Sequence, residues 1–396
     1  MAQKKKKIRI IIILLLFITY FFVAARPVPK ETILTPLWLS SLKSESTAEF
    51  FNDGRSKTGG FAAKNIPFIL GGHFGYVDEE GQFLINRIKQ GDIALSEDLW
   101  TEYERQPVNI DIIDILGNTA LSIEYPGGYP IFLDNRIFII GSEQNLLSEI
   151  DNDGNILWTY EFGAPLTCID AAAGLVLTGS IDGVVEILDA NGRRIYYFEP
   201  GGSRYSVILG CVISSNGMRI GIISGINQQR FLLLENFGSN NEYRVVYHEF
   251  LGEGYRRPVH LSFIDDDSRL VFERRGGLGC YNILSRQGIF IPLKGEVAVM
   301  DNSGGNGILF LISVNAGQRK DLVGIRFPQN RRRLVSGNLR RLFDSRSQDN
   351  QQSLEVNDAV FMSASFNSEN IYLHRAGSII IAGGGTSLIS FVLEEK

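Results

Sequence analysis

The sequence predicts an all-β fold, because short β-rich runs return along it at a nearly constant interval. One four-run pattern occupies residues 128–158 and returns at 165–196, so that Gly141 corresponds to Gly179, 38 residues later. Turn glycines follow the same spacing at Gly81, Gly117, Gly154 and Gly192. Four strands in a period of about 40 residues are typical of a propeller blade. We therefore predict a β-propeller of seven or eight four-stranded blades, preceded by one N-terminal hydrophobic helix.

Residues 1–25 have the pattern of a segment that directs export. Lys4–Lys7 precede an apolar run of sixteen residues that starts at Ile10. Positive charge stays on the cytoplasmic side, so the rest of the chain is expected to be translocated. The run is short for a spanning helix of about 20 residues and long for a signal-peptide core of about 7–15. An uncleaved signal anchor and a cleaved signal peptide both remain open.

An uncleaved anchor predicts a single-pass protein of the inner (cytoplasmic) membrane, with the propeller on the extracytoplasmic, periplasmic side. The residues expected to contact lipid are Ile10, Leu14, Phe17 and Phe21.

A tether is predicted at residues 26–60, and the propeller domain at 61–396. Prolines and serines interrupt regular structure throughout the tether. The stretch Leu34–Leu42, which contains Trp38, is too apolar for a simple linker. It is expected either to lie along the membrane interface or to pack on the rim of the propeller.

The balance of charge argues against nucleic acid as a partner. The chain has 39 Lys and Arg against 44 Asp and Glu, a net charge of −5. Five of the cations fall in the first nine residues, so the remainder carries −10. Non-specific nucleic-acid binding depends on the neutralisation of phosphates by Lys and Arg. An acidic body does not provide this.

Neither the cysteines nor the histidines have the spacing of a metal site. Cys168, Cys211 and Cys280 each lie in an apolar run, which is typical of buried free thiols. One disulfide with a spare thiol is the alternative for an exported protein. The histidines lie more than 10 residues apart, at His73, His248, His260 and His374. We expect no bound metal.

Two acidic turns have features of a calcium site. Asp151 and Asp153 resemble the start of a calcium loop, but Phe162 occupies the position of the acid that such a loop needs. A hairpin turn explains this stretch, because Asp, Asn and Gly accept left-handed backbone. Repulsion among the carboxylates of Asp265–Asp267 is a second case that a cation would relieve.

Two of these stretches resemble known propeller repeats. Residues 150–158 resemble the PQQ-like repeat, in which Asp or Asn precedes a turn glycine and Trp follows, here Trp158. Residues 177–189 look like the same repeat and equally like the core of a WD40 blade. Among exported proteins, the resemblance implies a membrane-tethered platform or an assembly scaffold. Quinoprotein dehydrogenases share this fold, but none of their ligand motifs can be matched, so we expect no cofactor and no catalysis.

One arginine-rich segment is the predicted contact region for a partner. Its arginines alternate with apolar residues, and its proposed contact residues are Arg326, Arg331, Arg332, Arg333, Arg340 and Arg341. Arginine binds carboxylates and phosphates through its planar guanidinium group. The alternative is a solvated rim whose arginine stems cover apolar surface.

The sequence thus predicts a monomeric, non-catalytic scaffold or adaptor that binds other proteins of the cell envelope. The alternative functions are a sensor that holds a small ligand in the propeller channel and, third, a degenerate quinoprotein.

Overall fold

A computed structural model describes most of the chain. The described residues are 32–43, 49–50, 65–124, 126–238, 242–301, 303, 305–315, 317, 319–328 and 354–395, with Phe17 and Tyr20. The chain divides into two compact units, Met1–Thr35 with Leu393–Lys396, and Pro36–Val392. Strands from all eight sheets lie in the second unit, which is the propeller.

The described residues form eight sheets, numbered here as blades 1 to 8. The two N-terminal strands are β1 (Thr32–Ser41) and β2 (Glu49–Phe50). Blade 1 contains β3 (Ile66–Leu70), β4 (His73–Val77) and β5 (Phe83–Ile88). Blade 2 contains β6 (Asp92–Leu95), β7 (Leu99–Tyr103), β8 (Asn109–Asp114) and β9 (Thr119–Glu124). Blade 3 contains β10 (Gly128–Leu133), β11 (Arg136–Gly141), β12 (Leu146–Ile150) and β13 (Ile156–Glu161).

The later blades follow the same order. Blade 4 contains β14 (Leu166–Ala172), β15 (Leu175–Ser180), β16 (Val185–Leu188) and β17 (Arg194–Phe198). Blade 5 contains β18 (Ile208–Ile213), β19 (Arg219–Ser224), β20 (Gln229–Asn236) and β21 (Tyr243–Gly252). Blade 6 contains β22 (Leu261–Ile264), β23 (Arg269–Arg274), β24 (Gly277–Asn282) and β25 (Gln287–Pro292), with β29 (Leu354–Glu355) parallel to β25. Blade 7 contains β26 (Glu296–Met300), β27 (Ile308–Val314), β28 (Lys320–Arg326) and β30 (Val360–Phe366). Blade 8 contains β31 (Ile371–Ala376), β32 (Ile379–Gly384) and β33 (Ser387–Glu395), followed in the sheet by β1 and β2.

The repeated Asp-to-Gly turns join the third strand of a blade to the fourth. In blade 3, Asp151 Oδ1 accepts the backbone N–H groups of Asp153 and Asn155 at 2.9 and 2.8 Å. These bonds, together with one from Gly154 N to Asp151 O, close the turn. Gly154 takes the left-handed conformation, with φ +86°. This turn could be predicted from the sequence because its Asp accepts the backbone hydrogen bonds and its Gly tolerates the left-handed backbone.

The same turns also bring neighbouring blades into contact. Gly192 has φ +71°, and a Cβ atom at this position would lie 2.4 Å from the Trp158 ring of the preceding blade. Gly81 faces Trp38 in the same way, and Trp38 Nε1 donates to Glu79 O at 2.8 Å. The turn glycines thus leave the space that an aromatic side chain of the neighbouring blade occupies.

The N-terminal strand completes the last blade. β1 lies next to β33 and occupies the place of a fourth strand in blade 8. Tyr372 OH, on the first strand of blade 8, donates to Pro67 O of blade 1 at 2.6 Å. Chain ends far apart in sequence therefore close the ring of blades.

The hydrophobic core is divided among the spaces between blades. The space between blades 4 and 5, for example, is filled by Leu177, Val185, Ile187, Ile208, Ile220 and Ile222, all fully buried. Each such side chain stabilises the fold by about 1.5–3 kcal/mol relative to exposure. Each blade contributes apolar side chains to the space between it and its neighbour. A strand that slipped by one residue would turn those side chains to the other face, so the register of the strands must be kept in every blade.

The structure confirms the propeller and settles the number of blades at eight. Blade 1 has three strands among the described residues. They correspond to the second, third and fourth strands elsewhere, because the turn that ends at Gly81 precedes the last of them.

The predicted tether differs from the structure in its described part. Thr32–Ser41 is strand β1, and Trp38 is only 1% exposed. The packing alternative therefore describes Leu34–Leu42, since burial of Trp38 against blade 1 removes a large apolar surface from water. Apart from Phe17 and Tyr20, the predicted N-terminal helix at residues 1–25 lies outside the described residues. Within those, no helix has the length and apolar character needed to cross a bilayer.

Candidate partner-binding surface

Only one residue of the predicted arginine contact region is described. Arg326 ends β28, and its guanidinium carbon lies 5.6 Å from the centre of the Phe361 ring on β30. Its backbone N–H donates to Ala359 O at 2.8 Å. Arg326 thus packs on a neighbouring strand. The other predicted contacts, Arg331, Arg332, Arg333, Arg340 and Arg341, lie outside the described residues. The predicted lipid contacts Ile10, Leu14 and Phe21 also lie outside them, while Phe17 is exposed.

The acidic turn Asp265–Asp267 links three blades. All three residues have positive φ, between 50° and 59°. Asp265 Oδ1 accepts the Gly307 N–H of blade 7 at 2.8 Å, and its other oxygen contacts Arg269. Asp267 Oδ2 accepts the N–H and hydroxyl of Ser215 in blade 5. The Asp265 and Asp267 carboxylates therefore bind separate partners. Across the described part of the chain, no cluster of three or more His, Cys, Asp or Glu side chains is arranged to hold a metal.

A positively charged surface lies elsewhere, on blades 5 to 7. Successive strands are antiparallel, so the connection entering each blade and the turn between its second and third strands lie on the same face. We call this the loop face and the opposite one the turn face. Five segments of the loop face contain seven Lys and Arg but four carboxylates, although the whole chain has a net charge of −5. These segments are 199–207, 225–230, 252–260, 273–276 and 293–296; together they are called the basic loop surface.

Hydrogen bonds join these segments into one surface. In blade 5, Ile226 N donates to Tyr205 O at 3.2 Å. Gln229 Nε2 reaches Tyr255 O at 3.4 Å, and Arg275 Nε donates to Gly254 O at 3.1 Å. The next connection is joined in turn, because Leu293 N donates to Gly276 O at 2.9 Å. The surface therefore continues over three blades with a fixed backbone.

A buried ion pair supports the middle of the basic loop surface. Glu273 is fully buried and accepts both terminal nitrogens of Arg257 at 2.8 and 2.9 Å. Arg257 also contacts Glu296, at 3.1 Å. These bonds raise the pKa of Arg257, with the hydrogen bonds to Glu273 contributing most. This guanidinium is therefore a structural cation whose charge is already matched.

An aromatic ring lies between two guanidinium groups at this point. The guanidinium carbons of Arg257 and Arg275 lie 4.3 and 5.4 Å from the centre of the Tyr255 ring. Burial, followed by the charges of Glu273 and Glu296, raises the pKa of Tyr255 to about 12. Tyr255 therefore stays neutral and offers its ring face to the cations.

Four cations of the basic loop surface are exposed. They are Arg204, Arg256, Arg275 and Lys294. Among the described residues, none of them has a carboxylate within salt-bridge distance. Arg204 lies 5.7 Å from the centre of the Tyr205 ring, which is itself 50% exposed. Arginine and tyrosine are enriched at the energetic centres of protein interfaces.

Sequence reasoning missed this surface. Its strongest signal was the pair of doublets Arg256–Arg257 and Arg274–Arg275, each within two residues of a glycine that marks a loop. The doublets are 18 residues apart in the chain, and only the order of strands brings them to one face. Arginines are denser in the segment beyond Arg326, so the sequence predicts the partner contact there instead.

A groove of about 440 Å³ lies on the loop face of blades 8 and 1. It is lined by Gly71, Phe366, Asn367, Ser368, Glu369, Asn370, Gly384, Gly385 and Thr386. The lining combines the Phe366 ring with amide, hydroxyl and backbone groups, and it contains one carboxylate and no cation. The groove differs from the basic loop surface in charge and belongs to other blades.

Comparisons with known proteins agree with the observed fold. A family model described as a beta-propeller protein matches residues 1–336. An uncharacterized protein of Treponema pallidum (strain Nichols) is 27% identical over 281 residues, 71% of this chain and 74% of that protein. The crystal structure of BamB from Moraxella catarrhalis has a TM-score of 0.56 at 10% identity, covering 91% of this chain and 100% of that one.

A computationally designed protein, Ika8, has a TM-score of 0.59 at 12% identity, covering 85% of this chain and 95% of that one. At such identities the structural likeness concerns the fold alone. The match of the family model, which spans most of the chain, shows more: this chain belongs to a family of β-propeller proteins.

Proposed function

We propose that this β-propeller is a non-catalytic scaffold that binds another protein of the cell envelope through its basic loop surface. The observation that carries the proposal is the set of exposed cations on blades 5 to 7, held by a rigid backbone in a chain of net negative charge. Such a surface attracts an acidic partner.

The fold supports this use. A propeller has short, protected strand edges and presents a broad face of loops. Arg256 extends from a connection whose neighbours, Gly254 and Tyr255, are buried. A side chain on such a support loses little backbone freedom when it binds, which favours affinity.

Membrane tethering is part of the same proposal. Lys4–Lys7 and the apolar run from Ile10 favour an inner-membrane anchor with the propeller on the extracytoplasmic side. Separation of membrane and soluble fractions, with protease added outside intact spheroplasts, tests this. Protein in the membrane fraction that the protease digests agrees with it, and a protected propeller contradicts it.

The arginine segment from Arg326 to Arg346 is proposed as a second contact region, because it combines charge with apolar side chains. Its contribution can be separated by reversing the charges of Arg331, Arg332 and Arg333 in an otherwise unchanged chain. Weaker partner capture with an unchanged melting temperature supports a contact there, and unchanged capture contradicts it.

The main test is charge reversal on the loop face. Arg204→Glu with Arg256→Glu should abolish co-purification of the partner from membranes while leaving the melting temperature unchanged. The matched control is Arg193→Glu with Arg286→Glu, which changes the same charge at exposed positions of the turn face. If the control and the test variant lose partners equally, the basic loop surface is not the contact.

The groove on blades 8 and 1 favours the binding of a small ligand as a second candidate function. A thermal-shift screen of small polar metabolites, repeated with Asn370→Ala, tests it. A shift that the variant loses supports ligand binding in the groove. Absence of any shift across the screen argues against it, and the same screen with calcium and a quinone tests the quinoprotein alternative.

A further inference from the structure

Two innermost strands from different blades lie side by side without sharing a sheet. They are β14 of blade 4 and β18 of blade 5. Thr167 Oγ1 donates to Ile208 O at 2.5 Å, and Ile213 N donates to Asp170 Oδ2 at 2.8 Å. These two bonds join the strands at both ends. Between the bonded positions, each strand carries one cysteine.

The two sulfur atoms rest on the same neighbouring strand. Cys211 Sγ lies 4.0 Å from Leu177 O on β15. A Cβ atom at Gly179, two residues further along β15, would lie 2.7 Å from Cys168 Sγ. Residues two apart in a strand face the same side. The Cys168 and Cys211 thiols are in hydrogen-bonding contact with each other, and this contact and burial raise the pKa of Cys211.

We propose that Cys168 and Cys211 form a disulfide that joins blades 4 and 5 when the chain meets a disulfide oxidant. Cys168 is partly exposed and Cys211 is buried, so Cys168 is the thiol that an oxidant can reach. The structure holds both as free thiols. The proposal rests on these contacts and does not require the basic loop surface to bind a partner.

The exchange proceeds through a mixed disulfide. The Cys168 thiolate attacks one sulfur of a small disulfide, such as oxidised glutathione, and releases one glutathione thiolate. Cys211, as its thiolate, then attacks Cys168 Sγ and displaces the second glutathione. Two electrons pass to the oxidant, and the two protons that leave the cysteines are taken up by the two released glutathiones.

The third cysteine provides an internal reference. Cys280 lies on β24 in blade 6 and is 2% exposed, in a different hydrophobic cluster from the other two. Burial raises its pKa to about 12. Among the described residues, no other cysteine lies in that cluster, and burial keeps a disulfide oxidant away from Cys280, so it is expected to stay a thiol under conditions that oxidise Cys168 and Cys211.

The disulfide between Cys168 and Cys211 would lie close in the chain to the first segment of the basic loop surface. β18 follows directly after segment 199–207, which carries Arg204 and Tyr205. A covalent link between Cys211 and Cys168 fixes this strand to blade 4 in addition to the side-chain hydrogen bonds. Cross-linking two positions 43 residues apart also restricts the unfolded chain, which raises the melting temperature.

The test uses the full-length protein, reduced and then incubated with oxidised glutathione while folded. Free thiols are alkylated after unfolding, and peptides are identified by mass spectrometry. We expect one linked peptide pair, Cys168 with Cys211, and alkylation of Cys280 alone. The melting temperature should rise by roughly 5 °C and fall back with dithiothreitol.

Three variants make the result specific. Cys168→Ser and Cys211→Ser should each lose both the link and the thermal shift, and Cys280→Ser should keep both. Three alkylated cysteines after oxidation would overturn the proposal. So would glutathione retained on Cys168 without a link to Cys211 in the folded protein.

Discussion

Blades 4 and 6 follow one plan of strands but differ on the loop face. The connection into blade 4 spans residues 162–165, whereas the connection into blade 6 spans 253–260. In the short one, Phe162 N donates to Asn145 O at 2.8 Å and Pro165 O accepts Ile181 N at 2.9 Å. The long one keeps its backbone fixed but leaves the side chain of Arg256 exposed.

This difference shows where a repeat fold can carry a function. A short connection uses its polar groups to hold adjacent blades together. A longer connection uses some groups in that way, such as Gly254 O with Arg275 Nε, and leaves other side chains, such as that of Arg256, exposed. Changes in the regular blades should therefore affect stability, and changes in the basic loop surface should affect binding.

The largest loss of stability is expected at the contact between blades 3 and 4. Gly192→Ala would place a Cβ atom 2.4 Å from the Trp158 ring, at a backbone with φ +71°. Strain and the clash together should lower the free energy of unfolding by roughly 3 kcal/mol. Chemical denaturation measures this. Gly201→Ala is the control, because φ is +60° but no atom lies within 4 Å, and a loss of about 1 kcal/mol is expected.

A smaller loss is expected where the basic loop surface depends on a buried charge. Glu273→Gln would break the pair with Arg257, whose side chain is 37% exposed and so partly hydrated. We expect the free energy of unfolding to fall by roughly 2 kcal/mol, less than for a fully buried pair. The exposed Glu253→Gln is the control, with an expected change within about 0.5 kcal/mol. Equal effects at both positions would contradict a structural role for the ion pair.

The contributions of the innermost strands and of the turns to stability should depend on pH in opposite ways. Burial raises the pKa of Asp170 to about 6, above its ordinary value of about 3.9. Its contribution to stability is therefore complete below about pH 4 and is lost as the pH rises through about 6. The free energy of unfolding relative to Asp170→Asn should fall by roughly 1–3 kcal/mol over that range.

The turn carboxylates should respond in the opposite direction. At Asp189, burial acts to raise the pKa, but hydrogen bonds from Arg193 N and Asn191 N lower it overall. Its contribution is present above about pH 4 and is lost as the pH falls below that value. Relative to the unchanged protein, the free energies of unfolding of Asp189→Asn and Asp170→Asn should change in opposite directions across this pH range. The same change in both variants would refute the two pKa shifts.

The smallest effect on stability is expected on the basic loop surface itself. Arg204→Glu with Arg256→Glu changes two exposed side chains that make no ion pair among the described residues. The free energy of unfolding should change by less than about 0.5 kcal/mol. A much larger loss would mean that these arginines support the fold and are not reserved for a partner.

Much of the fold follows from local chemistry that can be read in the sequence. The Asp-to-Gly turns, the alternation of strands and the period all depend on neighbouring residues, as at Asp151 and Gly154. The position of β1 depends instead on a partner more than 300 residues away, since β33 ends the chain. The basic loop surface likewise depends on the order of strands in blades 5 to 7, which brings Arg204 and Lys294 to one face. Patterns within a single window carry no information about such contacts.

The most direct measurement places a photocrosslinking amino acid on each face of blade 6. Position Arg256 lies on the loop face, and position Leu284, 78% exposed, lies in the turn between β24 and β25 on the turn face. Irradiation of cells that express each variant should give a covalent adduct with an acidic envelope protein from position 256 and none from position 284. Adducts from position 284 alone would contradict partner binding through the basic loop surface.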